Sequence, residues 1–149
     1  MRRPLIIACA TVVALTGCGG EEDSTATRTS ESFEAVDPGP VHVHGLGINP
    51  ADDALFVATH TGLFRAGPGE ETATRVGGNF QDTMGFTIVG PDRFLGSGHP
   101  DINEAQEKNL PSLLGLIEST DKGESWQPIS LSGEADFHVL RFAGQRVHG

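Results

Sequence analysis

In this chain of 149 residues, histidines recur at the ends of similar apolar runs, and carboxylates recur at the starts of the stretches that follow. His60 and His99 end the runs LFVATH and FLGSGH, which align without a gap, and Asp82 and Asp136 each open the stretch that follows. Imidazole and carboxylate together bind divalent transition metals, and the same groups transfer protons in catalysis. The alternative is that each residue caps a turn by bonding nearby backbone groups.

Antiparallel strand topology predicts that these residues share one edge of the fold, because strand starts and strand ends alternate between two edges. The predicted ligand edge comprises His42, His44, His60, Gln81, Asp82, His99, Asp136 and His138. Candidate ligands for a divalent metal ion within it are His42, His44, His60 and His99. Candidate catalytic carboxylates are Asp82, Asp101 and Asp136.

The elements that must position these residues are short strands in a repeat. Apolar runs of about six residues alternate with turns rich in Gly, Pro, Asn and Asp, and no helical stripe is evident from Val41 onward. The first unit spans about 42–77, the second about 82–131, and a third begins at 136–149. Repeats of this length with four antiparallel strands are typical of β-propeller blades. We therefore predict an all-β protein of the β-propeller class.

The most specific motif is the octapeptide that begins at Ser119, which has the pattern S-x-D-x-G-x-x-W. Its signature positions are Ser119, Asp121, Gly123 and Trp126. An Asp can accept hydrogen bonds from turn amides, a Gly allows a left-handed backbone, and a Trp can pack on the strands. The motif resembles the Asp-box of the BNR repeat family. That resemblance implies a structural turn between the third and fourth strands of a propeller blade.

A wider resemblance covers HVHGLG, ATHTGLF, SGHPD and GLIESTDKGESW. Together they resemble bacterial propellers described as glycosyl-hydrolase-like or exo-sialidase-like. Sialidases share an arginine triad and a tyrosine nucleophile. This chain has no tyrosine, and none of its arginines lies in the F-R-I-P sequence that marks the first arginine of the triad. Two hypotheses stay open: a glycosidase-like hydrolase acting on a glycan, and a non-catalytic propeller that binds a metal, a ligand or a protein partner.

The first residues predict export and lipid anchoring. Arg2 and Arg3 precede an uncharged apolar run over 5–17, as in a secretory signal peptide. The run ends in Leu-Thr-Gly-Cys, which resembles the bacterial lipobox, so we expect cleavage after residue 17 and lipidation of Cys18. Residues 18–40 then form an acidic tether, with the protein on the outer face of the bacterial envelope. The net charge of -10 disfavours nucleic acid as a partner.

The length predicts an incomplete propeller. Residues 41–149 hold about two to three blades, whereas propellers typically close with four to eight. We therefore expect this chain to be an N-terminal fragment of a longer propeller.

Overall fold

The computed structural model describes residues 36–149. The predicted signal peptide, Cys18 and the tether as far as residue 35 lie outside the described residues. Within 36–149, no helix has the length and apolar character needed to span a membrane.

Strands dominate the described part of the chain, so the all-β prediction is confirmed. Sheet 1 contains β1 (Val43–Ile48), β2 (Leu55–Thr59), β3 (Gly62–Ala66) and β4 (Thr74–Arg75), in that spatial order. Sheet 2 contains β5 (Asp82–Gly90), β6 (Arg93–His99), β7 (Leu116–Ser119) and β8 (Gln127–Ser130), again in chain order. A hairpin of β9 (Arg141–Ala143) and β10 (Arg146–His148) follows. All of these pairings are antiparallel.

The first strand of the third unit is shorter than the pattern predicts. The run FHVLRF suggests a strand over 137–142, but β9 covers only Arg141–Ala143. The amide of Phe137 instead donates to the hydroxyl of Ser97, 2.9 Å away in β6. That side-chain bond replaces a ladder bond and fixes the segment just after Asp136 against sheet 2.

A short helix, which the sequence analysis did not expect, lies inside the polar segment after β6. Helix α1 spans Ile102–Lys108. The carboxylate of Asp101 caps it by accepting from the amides of Asn103 and Glu104, and Asn109 ends it in a left-handed conformation with φ 51°. The sequence carries the signal for this helix, because Asp101 followed three residues later by Glu104 has the spacing of a capping box.

The core lies between sheets 1 and 2 and centres on three phenylalanines. Phe56 of β2 and Phe94 of β6 are fully buried, with ring centroids 4.6 Å apart in an edge-on arrangement. Phe86 of β5 packs on Phe94 at 5.7 Å, in the T-shaped geometry that aromatic pairs favour. β6 is buried from Phe94 to Gly98, whereas burial alternates in β2 before its buried last residue, Thr59. Continuous burial indicates that β6 is covered on both faces, whereas β8 of the same sheet is exposed throughout.

The meander topology gives the strands two edges, where their starts, ends and turns lie. We call the first the His–Asp edge: it contains the starts of β1 and β5, the ends of β2 and β6, and the segment before β9. The second, which we call the turn edge, contains the β1–β2, β5–β6 and β7–β8 turns. Because successive strands run in opposite directions, residues at strand starts and strand ends gather as the sequence pattern predicts.

Candidate functional site

Two histidines and one aspartate meet where sheet 1 adjoins sheet 2. His60 Nδ1 lies 2.9 Å from Asp82 Oδ2, and His44 Nε2 lies 3.6 Å from Asp82 Oδ1. One ligand atom from each residue falls within 4.8 Å of the others. We call this set cluster 1. Its histidines come from sheet 1 and its carboxylate from sheet 2, so the cluster bridges two consecutive units.

A β-bulge aims His44 into cluster 1. The register between β1 and β2 shifts between Val43 and Gly45, which makes His44 the extra residue. Bulges re-aim side chains next to functional sites. Without the shift, the regular alternation of β1 would have determined the direction of His44.

The backbone around His42 fixes the position of His60. His42 has φ 52°, a left-handed conformation that is uncommon for a residue other than glycine. The His60 amide is then shared between the carbonyls of Val41 and His42, at 2.9 and 3.1 Å. The His42 ring stands beside cluster 1, with its centroid 6.2 Å from that of His60. His42 therefore orders the edge through its backbone, while its imidazole borders the cluster.

The Asp82 carboxylate is the group that both histidines of cluster 1 approach. Its side chain is only 13 % exposed, and Oδ1 is buried without a hydrogen-bond partner. A buried carboxylate oxygen without a partner is costly, by about 1–3 kcal/mol or more for a charged group. A cation between Oδ1 and the imidazoles would satisfy it.

A second His–Asp set, cluster 2, lies where sheet 2 meets the segment before β9. His99 Nε2 and His138 Nε2 lie 3.4 and 3.1 Å from Asp136 Oδ2. The Asp136 side chain is 13 % exposed, and its Oδ1 is buried and unpaired, as in Asp82. Asp82 and His99 are direct partners across β5 and β6, so the two clusters are neighbours on one edge.

Gly98 allows β6 to reach this position. It has φ 139°, and a Cβ there would lie 2.0 Å from the carbonyl oxygen of Asp82. No side chain fits, and L-residues rarely adopt this backbone conformation. The glycine therefore keeps His99 directly opposite Asp82.

The other predicted residues of the edge have structural partners. Gln81 is buried, and its amide nitrogen donates to the Thr83 hydroxyl at 3.2 Å. Asp101 caps α1 through Oδ1, and its Oδ2 accepts from the Phe80 amide at 3.1 Å. These bonds give Asp101 a structural role and place it apart from both clusters.

The S-x-D-x-G-x-x-W motif forms the turn between β7 and β8, on the turn edge. Asp121 Oδ1 accepts from the Ser125 amide at 3.0 Å and from the Ser119 hydroxyl at 2.8 Å. Desolvation acts to raise the pKa of the Asp121 carboxyl, but hydrogen bonds from Ser125 and Ser119 outweigh it and lower that pKa. Gly123 has φ 87°, and a Cβ there would lie 2.3 Å from a Leu63 methyl group. Trp126 packs against the core.

Two residues that support cluster 2 were missed by the sequence analysis. The Ser97 hydroxyl holds the Phe137 amide next to Asp136, and the Ser112 carbonyl bonds His99 Nδ1 at 2.8 Å. Ser97 carries a weak signal, because it is a polar residue inside the apolar run FLGSGH. Ser112 carries none, since it acts through its backbone.

Comparisons with known proteins identify no relative: no family model, no curated protein and no solved structure matches the chain.

Proposed function

We propose that this protein binds a divalent transition metal ion in cluster 1, and that it does so as a lipid-anchored propeller protein on the outer face of the bacterial envelope. The observation that carries the metal site is the Asp82 carboxylate. Its buried, unpaired Oδ1 lies 3.6 Å from His44 Nε2, while Oδ2 lies 2.9 Å from His60 Nδ1.

The spacing of these atoms suits a small tetrahedral ion. With Zn–N and Zn–O bonds of about 2.0–2.1 Å, neighbouring ligand atoms of a tetrahedron lie about 3.3–3.4 Å apart. The two nitrogen–oxygen separations in cluster 1, 2.9 and 3.6 Å, bracket that value. The two imidazoles are borderline ligands, and they favour zinc and its neighbours over calcium or magnesium.

The net negative charge of the chain also favours a bound cation. The chain carries a net charge of -10, which raises the local concentration of cations. In the absence of metal, Asp82 Oδ2 has one short contact to His60, and Oδ1 stays unpaired. An ion bound through one carboxylate oxygen and the two imidazoles would satisfy Oδ1.

Three protein ligands leave one position of a tetrahedral ion open. Closed zinc sites have four protein ligands, whereas sites with three accept water or a ligand at the fourth position. The His60 side chain is 59 % exposed, so that position faces solvent. Cluster 1 therefore suits a metal that binds an external ligand, a glycan or a protein partner at the envelope.

The repeat architecture supports the propeller assignment. Two four-stranded meanders follow one another, β1 contacts β5, and β5 contacts β9. Adjacent first strands are expected where blades surround a common axis. The S-x-D-x-G-x-x-W turn between β7 and β8 adds to this support, and the Leu-Thr-Gly-Cys sequence ending at Cys18 supports the lipid anchor.

Calorimetric titration of the full chain with Zn²⁺ tests cluster 1. Cys9 and Cys18 are replaced by serine in every variant, because their thiols would bind zinc themselves. We expect the His44→Ala/His60→Ala variant to lose one bound ion per chain. The matched control is His148→Ala, an exposed histidine of β10, which should bind as the parent does. Unchanged stoichiometry in the double variant would refute the site.

A second candidate function, glycoside hydrolysis, is favoured by one observation. Asp82 and Asp136 are two largely buried carboxylates on one edge, and paired carboxylates are the machinery of most glycosidases. A panel of fluorogenic glycosides tests this function. Hydrolysis that is lost in both Asp82→Asn and Asp136→Asn, and that survives EDTA, would favour it over metal binding.

A further inference from the structure

A cavity of about 360 Å³ lies between helix α1, strands β7 and β8, and the segment that leads into β5. We call it the Trp126 cavity, after the indole that lines it. Its lining contains no residue of cluster 1 or cluster 2. Pockets that bind small molecules have volumes of about 300–1,000 Å³ and combine apolar walls with a few polar groups. The Trp126 cavity therefore has room for a compact ligand of one or two rings, but not for a long extended chain.

The apolar part of the Trp126 cavity is preformed. Trp126 lines it together with the buried side chains of Leu114 and Ile117. A Cβ at position 96 would lie 3.0 Å from Cζ3 of Trp126, so Gly96 allows the indole to approach β6 this closely. Three proline rings complete the apolar lining: Pro100, Pro111 and Pro128. A ligand that packs on these rigid groups has little side-chain entropy to overcome.

Two polar atoms of the lining have no hydrogen-bond partner within residues 36–149. The Gln81 side chain is buried and its Nε2 donates to the Thr83 hydroxyl at 3.2 Å, but no described residue donates to its Oε1. The indole N–H of Trp126 likewise has no acceptor in the described part of the chain. The cavity thus offers one free acceptor and one free donor. A ligand that satisfies both must donate one hydrogen bond and accept another.

The charges of the Trp126 cavity disfavour an ionic ligand. Glu104 Oε1 accepts from Lys108 Nζ at 2.7 Å, and Glu104 Oε2 accepts from Asn79 Nδ2 at 2.7 Å. Glu124 adds a second carboxylate to the lining. An anion would meet two carboxylates and one lysine that is already paired, and a quaternary ammonium can neither donate nor accept a hydrogen bond. A neutral hydroxyl group can do both.

We infer that the Trp126 cavity binds a neutral sugar unit. A pyranose ring carries C–H groups on its faces, which match the indole and the proline rings. Its hydroxyls lie around the rim, where they donate to Gln81 Oε1 and accept from the Trp126 N–H. The inference does not rest on the proposed metal site, because no ligand of cluster 1 lines the cavity. It also differs from glycoside hydrolysis, since Asp82 and Asp136 lie outside the lining.

Fluorescence tests this inference directly, because Trp126 is the only tryptophan of the chain and there is no tyrosine. The full chain with Cys9→Ser and Cys18→Ser is titrated in EDTA with the methyl glycosides of glucose, galactose and N-acetylglucosamine. We expect at least one sugar to change the emission saturably and to protect the indole from quenching by acrylamide. No saturable change and no protection with any of the three sugars would overturn the inference.

A matched pair of glutamine variants locates the bound sugar. Gln81→Met keeps the length of the side chain and removes the free acceptor, so we expect about fivefold weaker binding, the cost of one hydrogen bond. Gln106→Met changes an exposed glutamine of α1 outside the cavity lining and should bind as the parent does. Equal affinities in the two variants would overturn the site. The acrylamide measurement on the parent decides the question if Gln81→Met does not fold.

Further probes separate the Trp126 cavity from its alternatives. Acetate serves as the anion, tetramethylammonium as the cation and hexaproline as the peptide. A saturable response to one of these in place of the sugars would overturn the ligand class. Sugar binding that requires Zn²⁺ would place the sugar at cluster 1 and overturn the cavity site. Zinc binding without any sugar binding would refute this inference and leave the proposed function intact.

Discussion

Buried polar groups are hydrogen-bonded at the turn edge, whereas two buried carboxylate oxygens have no partner at the His–Asp edge. At the turn edge, Asn49 is completely buried, and its amide nitrogen donates to Asp52 and Asp92 at 2.8 and 2.9 Å. Its amide oxygen accepts from the Asp92 amide at 3.0 Å. At the His–Asp edge, Asp82 and Asp136 each keep one buried oxygen without a partner. These are the two buried, unpaired carboxylate oxygens in the described part of the chain.

We propose that this difference separates residues that stabilise the fold from residues that bind a ligand. Saturated networks at the turn edge join the β1–β2, β5–β6 and β7–β8 turns, and Lys122 adds ion pairs to Asp52 and Asp92. Unsatisfied carboxylates oppose folding unless a ligand completes them. We therefore expect substitutions at the turn edge to lower stability, and conservative substitutions at the His–Asp edge to change ligand binding with little loss of stability.

Replacing Asn49 by alanine should produce the largest effect. The Asn49→Ala variant removes the side-chain bonds between the β1–β2 and β5–β6 turns and leaves a cavity at a completely buried position. We expect the free energy of unfolding to fall by about 3 kcal/mol. Urea denaturation measures it. The control, Asn103→Ala on the exposed face of α1, should change stability by less than about 0.5 kcal/mol. Equal effects of the two variants would contradict the importance of the network.

Replacing Asp121 by alanine should have an intermediate effect. Its carboxylate accepts bonds from the Ser119 and Ser125 hydroxyls and from the Ser125 amide. We expect Asp121→Ala to destabilise the fold by about 1.5 kcal/mol without changing zinc binding. Asp121→Asn keeps one acceptor oxygen and should recover part of the loss. A change in zinc stoichiometry in Asp121→Ala would contradict the proposal that the turn edge and the His–Asp edge act independently.

Replacing either of the two carboxylates that have an unpaired oxygen should leave stability unchanged or raise it, in contrast to the substitutions at the turn edge. Without metal, Asp82→Asn or Asp136→Asn removes a largely buried charge while keeping the side-chain shape, so we expect stability to stay equal or to rise by up to about 1 kcal/mol. With saturating Zn²⁺ the order should reverse for Asp82→Asn, because that variant loses metal stabilisation, whereas Asp136→Asn should be unaffected. Thermal melts in EDTA and in Zn²⁺ test this. A large loss of stability in EDTA would show that these carboxylates serve folding.

The smallest effect is expected from the ion pair of Asp52 and Lys122, and it depends on pH. Desolvation acts to raise the pKa of Asp52, but bonds from Lys122, Ala54 and Asn49 lower it below the reference value of 3.8. The Asp52 bond raises the pKa of Lys122 above 10.5. The carboxylate therefore stabilises the fold above about pH 3.8, and this contribution disappears as the pH falls through the lowered pKa. The ammonium contribution is present below pH 10.5 and disappears above it.

The double variant Asp52→Asn/Lys122→Met should flatten both limbs of the curve of stability against pH. Denaturant midpoints between acid and neutral pH measure the acid limb. Lys108→Met provides the control, since its partner Glu104 lies one turn away on the same helix. A double variant that keeps the acid slope of the parent would show that other carboxylates determine it.

The strands and their grouping could be predicted because they follow from local patterns. The runs LFVATH and FLGSGH repeat with their turn residues, and antiparallel pairing then brings His60, Asp82 and His99 to one edge. The S-x-D-x-G-x-x-W motif predicts its turn for the same reason, since the side chains of Ser119 and Asp121 form their bonds within residues 119–125.

The remaining features depend on tertiary contacts that a single sequence does not encode locally. The direction of His44 depends on a bulge in β1, and the shortening of β9 depends on the Ser97 hydroxyl. The proximity of His138 to Asp136, rather than to another residue of the edge, follows from that irregular segment. Helix α1 is the exception, because the spacing of Asp101 and Glu104 is a local sequence pattern that indicates the start of a helix.

The division of each cluster between two units has a consequence for the origin of the site. The shortest of these side-chain contacts join the histidine that follows or ends the second strand of one unit to the carboxylate at the start of the next: His60 to Asp82, and His99 to Asp136. Tandem repetition of the unit therefore brings the histidine of one copy against the carboxylate of the next. A linear array of n copies would thus create n − 1 His–Asp pairs, and closure of the array into a ring would create one more.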